Sequence, residues 1–131
     1  MIFKYKDCNK WPFIYVVFSN GSNLFWLKLL KRGFRHCFVI LGNGENWIAI
    51  EATLSRTYIN LITDQNYPDF LRKRGFTVIR SKIYPYFVSK MPKFAIFSCV
   101  ELVKSVLGIN SSKLQTPYSL YRFLHKPRKC S

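Results

Sequence analysis

The sequence predicts an α+β domain: an antiparallel β-sheet with helices packed on one side. Three observations point there. Runs rich in β-branched and aromatic residues, separated by turn signals, occupy most of the chain up to Tyr84. Two segments with helix-start signals follow near the C-terminal end. No Pro/Gly/Ser-rich linker, repeat or low-complexity stretch divides the 131 residues, so residues 1–131 read as one domain with a basic tail at about 126–131.

Phe13–Phe18 reads as a strand and ends at the turn signal Ser19-Asn20-Gly21. Asn23–Lys31 suits one or two helical turns, broken by Gly33. Phe34–Leu41 and Trp47–Thr53 are strand-like and flank Asn43-Gly44, the strongest short-range hairpin signal. With Asn43 and Gly44 as the two central turn residues, Ile40 faces Trp47 and His36 faces Glu51. Thr57–Thr63 predicts another strand. Tyr67–Arg74 predicts a short helix stopped by Gly75, and Phe76–Tyr84 a strand ended by Pro85. Tyr86–Lys93 reads as irregular.

Ser98–Leu107 predicts a helix, because Ser98 followed by Glu101 is a capping-box pattern. Cys99, Leu102, Val103, Val106 and Leu107 then share one face, and Gly108 ends the helix. Thr116-Pro117 opens a last helix running to about Lys126, with Pro at the first helical position.

The charge is +15, from 21 Lys+Arg against 6 Asp+Glu. Such a surface attracts polyanions such as nucleic acid, acidic polymers or a membrane face, or else serves only as a soluble, self-repelling exterior. The basic excess concentrates in the C-terminal half, where Glu101 is the one acid from Phe70 to Ser131. The tail His125–Lys129 is a candidate phosphate contact. Tyr84-Pro85-Tyr86-Phe87 and Tyr118–Phe123 mix aromatics with basic residues, but core packing explains the helical spacing of the latter better than base stacking. No apolar run approaches the ~20 residues of a membrane span. The run Trp11–Phe18 is short and lacks a following cleavage pattern, which predicts a buried strand rather than a signal peptide and a cytoplasmic protein.

Cys8, Cys37, Cys99 and Cys130 form no C-x-x-C pair, and with only two histidines neither a metal nor another cofactor is expected. Cys99 stands in the first turn of its helix, where free N–H groups and the helix dipole favour a thiolate. The competing reading is a small buried residue heading an apolar stripe. His36 is either a satisfied core histidine or a base. Glu51, a carboxylate within WIAIEAT, is costly to bury without a partner. The hairpin sets it on the same face as His36, so the two explain each other as base and orienter in a nucleophile–base–orienter set with Cys99. Cys37 alternates to the opposite face from His36, which predicts that it lies outside that site. Cys8 and Cys130 read as incidental, His125 as solvated.

The succession GFRHCFVI, WIAIEAT, FSCVELVKSVLGI and TPYSLYRFL resembles the circularly permuted branch of the NlpC-type, papain-like hydrolases. That branch also holds lecithin:retinol acyltransferase-like enzymes and many bacterial and phage proteins. There the histidine strand precedes the cysteine helix, as His36 precedes Cys99. The resemblance spans roughly Gly33–Leu124. It implies a permuted papain-like core, Cys99 as nucleophile, His36 as general base and acid, and Glu51 at a third polar position that varies in the family. It further implies a thiol peptidase or amidase acting on peptide or peptidoglycan amides, or on acyl esters. Two alternatives stand beside it: a basic nucleic-acid or polyanion-binding module, and a non-catalytic phage or prophage assembly protein associated with the particle.

Overall fold

The computed structural model describes residues 12–20, 31–53, 56–82, 98–109, 111 and 113–125. The strands are β1 (Phe13–Ser19), β2 (His36–Gly42), β3 (Trp47–Ala52), β4 (Thr57–Ile62) and β5 (Thr77–Ser81). The helices are α1 (Tyr67–Lys73), α2 (Ser98–Leu107) and α3 (Pro117–His125). The strands form one sheet in the order β4-β3-β2-β1-β5, and every neighbouring pair is antiparallel. This is the α+β class read from the sequence. The helical turns expected over 23–31 lie outside the described residues except for Lys31. So do the end of the strand beyond Lys82, the irregular stretch 86–93, the tail 126–131, and both Cys8 and Cys130.

The helices do not share one side of the sheet. Ile14, Val16, Phe18, Cys37 and Val39 face α2 and α3, where they pack with Cys99, Val100, Val103, Leu107 and Leu120. The alternate residues Val17, Phe38, Ile40, Trp47 and Ala49 pack on the other face with Leu71 of α1. The reason lies in β1 and β2, where Val16, Val17, Phe18, Cys37, Phe38, Val39 and Ile40 are consecutive buried residues. A strand apolar on both faces needs cover on both.

The β2–β3 hairpin is shifted two residues from the expected register. Gly42 pairs with Trp47 and Ile40 with Ala49, so four residues, Asn43–Asn46, form the loop. Asn43 is not a central turn residue. Its Oδ1 accepts from the N–H groups of Glu45 (2.9 Å) and Asn46 (2.8 Å), closing the longer loop from its first position. Gly42 is dictated by its partner: a Cβ there would stand 2.5 Å from the Trp47 ring. Trp47 is buried, and its Nε1–H donates to Gln65 O at 3.2 Å.

The stop of α2 at Gly108 and the start of α3 at Thr116-Pro117 hold. Gly108 takes φ +76, and Ile109 N–H donates to Lys104 O at 2.9 Å, the Schellman end that glycine favours. The buried face of α2 includes Val100, which the sequence stripe omitted, while Leu102 is only half-buried. Thr116 and Ser119 cap α3 reciprocally: Ser119 N–H donates to Thr116 Oγ1 and Thr116 N–H to Ser119 Oγ, each at 3.1 Å.

Glu101, the one acid from Phe70 to Ser131, forms an ion pair with Lys104 at 2.8 Å. Lys104 is itself buried and donates to Ser111 O (2.9 Å) and Leu114 O (3.0 Å). The acid thus holds a buried ammonium that ties the α2–α3 connection to α2. These contacts fix the helix bearing Cys99.

Candidate functional site

The site lies where the first residue of β2, the far end of β3 and the first turn of α2 come together. His36 opens β2, with Ser19 of β1 as its ladder partner. Its Nε2 lies 2.5 Å from Glu51 Oε1. In the observed register Val39 stands opposite Ile50. Continued, this places Glu51 level with Phe38, so the His36–Glu51 bond runs diagonally rather than directly across. The two-residue slip preserves face, because side chains alternate with a period of two. The sequence pairing therefore survives although its register does not.

Alternation alone would put His36 on the α1 face, with Phe38, and Cys99 on the other. The chain escapes this at its entry into β2. Phe34 packs on the α2/α3 face, its ring 5.6 Å from Phe18 and 4.5 Å from Tyr121. Phe38 packs on the opposite face, 6.5 Å from Phe76. Phe34 and Phe38 are an even number of residues apart yet lie on opposite faces, so the alternation changes phase between them. The backbone bends at Arg35, whose N–H donates to Ser19 O at 2.9 Å. His36 occupies this crossover; its ring is hydrogen-bonded to Glu51, and its charge is coupled to that of the Cys99 thiol.

Cys99 is bordered by a residue assigned elsewhere from the sequence. Cys37 is fully buried in the same cluster and interacts with the Cys99 sulfur strongly enough to shift its ionisation. Cys37 does lie on the face opposite Phe38, as alternation requires, but the Cys99 sulfur comes from the helix that covers that same face. The shared face of Cys37 and Val39 with α2 was the available signal.

The electrostatics follow from these contacts. The Cys37 thiol hydrogen bond, opposed by burial and aided by His36, brings the Cys99 thiol from 9.0 down to about 5. Burial disfavours the charged imidazole of His36, but hydrogen bonds and charge from Cys99 and Glu51 outweigh it and raise His36 from 6.5 to about 9. Burial, followed by the Cys99 contact, drives Cys37 well upward and keeps it a thiol. Between these limits the favoured state is thiolate beside imidazolium, with a neutral thiol behind the sulfur.

Exposure rises along the row. Cys99 is 7% exposed, the His36 side chain 18% and the Glu51 side chain 36%. Glu51 also acts on Tyr67 at the start of α1, whose hydroxyl is pushed up by burial and then by that carboxylate.

No family model, no curated protein and no solved structure matches this chain.

The remaining sequence candidates fall away from this row. His125 is exposed and stacks on Tyr121 at 5.2 Å. Tyr121 packs on Phe18 and Phe34, and Tyr118 carries Lys31 Nζ 4.1 Å above its ring. Among the described residues, no three His, Cys, Asp or Glu side chains are grouped to hold a metal ion, and no helix is long and apolar enough to cross a membrane.

Proposed function

We propose that this chain is a cysteine hydrolase, a peptidase or amidase of the permuted papain-like type, with Cys99 as nucleophile. The observation that carries the reading is the position of His36, whose imidazole holds Glu51 at 2.5 Å and is electrostatically coupled to the Cys99 thiol. A nucleophile, a base and an orienting carboxylate in that connection are the parts that thiol acyl transfer needs. The order of elements, with the His36 strand and the Glu51 strand ahead of the Cys99 helix, supports the permuted NlpC-type assignment.

Because Glu51 occupies Nε2, Nδ1 is the nitrogen left to exchange a proton with sulfur. The Cys99 thiolate attacks the carbonyl carbon of an amide or ester. The oxyanion forms beside the free N–H groups of the first turn of α2. The tetrahedral intermediate collapses as the His36 imidazolium gives its proton to the leaving amine or alcohol, which leaves a thioester on Cys99. Neutral His36 then takes a proton from water as the water attacks the thioester. Collapse releases the carboxylic acid and restores the thiolate–imidazolium pair.

The charge of +15 favours an anionic substrate, and an acidic peptide or cell-wall peptide amide fits both the chemistry and the field. Such a substrate suits a bacterial or phage-associated enzyme working in the cytoplasm or with a particle.

The test is capture of the thioester. The protein is mixed with p-nitrophenyl acyl esters and with acidic peptide amides, quenched in acid, and mapped by mass spectrometry. The expected result is one acyl group on Cys99, absent from Cys99→Ala. Acylation spread over Cys8, Cys99 and Cys130 alike would sink the reading.

A further inference from the structure

The hydrolytic mechanism leaves one nucleophilic group unused. Cys37 is a second thiol at the site, fully buried and reduced, and it lies on β2 in the same buried cluster as Cys99. A structural cysteine in a core is ordinarily inert. This one has a sulfur neighbour, and that neighbour is the more exposed of the two.

We propose that Cys37 is a resolving thiol, and that Cys37 and Cys99 form a site of reversible oxidation by hydroperoxides which switches the proposed hydrolase off. The inference rests on the reading of Cys99 as a reactive thiolate. In the first step Cys99 sulfur attacks one peroxide oxygen and the O–O bond breaks. The departing hydroxide takes a proton from imidazolium His36 and leaves as water, and Cys99 is a sulfenic acid. In the second step Cys37 sulfur attacks the Cys99 sulfur and the S–O bond breaks. The released hydroxide leaves as water with the Cys37 proton. Two thiols are oxidised by two electrons and the peroxide is reduced by two.

The surroundings favour this order. Cys99 is the sulfur a small oxidant reaches first, while Cys37 has no exposed surface. Once Cys99 is a neutral sulfenic acid, the negative charge that opposed ionisation of Cys37 is gone. The two sulfurs, buried in one cluster on β2 and the first turn of α2, must close to the ~2.05 Å of a disulfide. The bond would protect Cys99 from irreversible over-oxidation and would return to the dithiol with a small thiol reductant.

The experiment uses the full chain carrying Cys8→Ser and Cys130→Ser, treated with a few equivalents of hydrogen peroxide. The protein is then denatured, alkylated and peptide-mapped. The expected product is a Cys37–Cys99 cross-linked peptide, two hydrogens lighter than the dithiol and reversed by dithiothreitol. Adding Cys37→Ser, or Cys37→Ala where the serine variant does not fold, should shift the product to Cys99 sulfinic acid, which dithiothreitol does not reverse. Sulfinic acid on Cys99 of the parent, with Cys37 still fully alkylated, overturns the proposal. Iodoacetamide labelling before oxidation separates the two failures. Fast labelling of Cys99 without a cross-link removes only the resolving role of Cys37, whereas slow labelling removes the thiolate reading itself.

Discussion

His36 Nε2 and Glu51 Oε1 meet at 2.5 Å across two neighbouring strands, and this bond fixes the imidazole at the point where β2 changes phase. Glu51 does two things there: it orients the ring and helps to hold its proton. Replacing it separates these roles. Glu51→Gln keeps a polar group of the same shape but removes the charge, so the basic limb of the kcat/KM profile should move below its wild-type position near 9. Glu51→Ala should show that shift and also lose rate through a disordered ring. His36→Ala removes the proton carrier and should lower kcat/KM by about 10²–10⁴-fold. An unchanged profile in Glu51→Gln would show that the carboxylate contributes only to folding.

The ionisations of Cys99 and His36 set an activity window. Cys99 must be deprotonated, so activity should rise with pH through about 5. The imidazolium must be present to protonate the leaving group, so activity should fall as pH passes about 9. The same shift predicts selective alkylation. At about pH 6 Cys99 holds roughly 10³-fold more thiolate than an ordinary thiol, offset by about 10²-fold in intrinsic nucleophilicity, a net advantage of about tenfold. Timed iodoacetamide labelling with peptide mapping reads this directly, with Cys8 and Cys130 as internal references. Equal rates would contradict the lowered thiol.

The local signals in the sequence were the reliable ones, because each is decided within a few residues. Ser98–Leu107 as a helix, Gly108 as its stop and Thr116-Pro117 as the next start depend on caps and on backbone freedom at glycine. The same-face relation of His36 and Glu51 depended only on parity, which a two-residue slip cannot change. What failed was decided over longer range. The hairpin register turned on whether Asn43 sits inside the turn or accepts hydrogen bonds at its start, and both uses suit asparagine. Cover on both faces was written in the unbroken apolar run of β1, but which helix goes where was not. The position of His36 depended on the phase change near Arg35, and no residue pattern marks such a bend.

Gly42 tests the hairpin that carries Glu51. A methyl group there would stand 2.5–2.7 Å from three atoms of the Trp47 ring. That ring is buried and also lies against Phe13 and Tyr15, so it has little room to withdraw. Gly42→Ala should cost about 1–3 kcal/mol, the usual range for overpacking a filled core. Urea unfolding followed by tryptophan fluorescence would measure it. A wild-type midpoint would mean that Trp47 can move freely.

Lys104 gives the corresponding test on the helix side. Its ammonium is nearly inaccessible and meets Glu101, Ser111 O and Leu114 O. Lys104→Met preserves much of the side-chain volume but leaves a largely buried carboxylate and two carbonyls without their donor. Removing one partner of a buried ion pair commonly costs about 3–5 kcal/mol, and the 18% exposure of Glu101 argues for the lower end. Lys104→Met with Glu101→Gln removes the uncompensated charge and should recover part of that loss. The two variants also bear on the site, because this ion pair anchors the helix that presents Cys99. Chemical denaturation should therefore show the single variant clearly less stable than the double, and Cys99 labelling should slow in the single variant as the first turn of α2 loosens. Equal stability of the single variant and the wild type would mean that water, not Lys104, satisfies these groups.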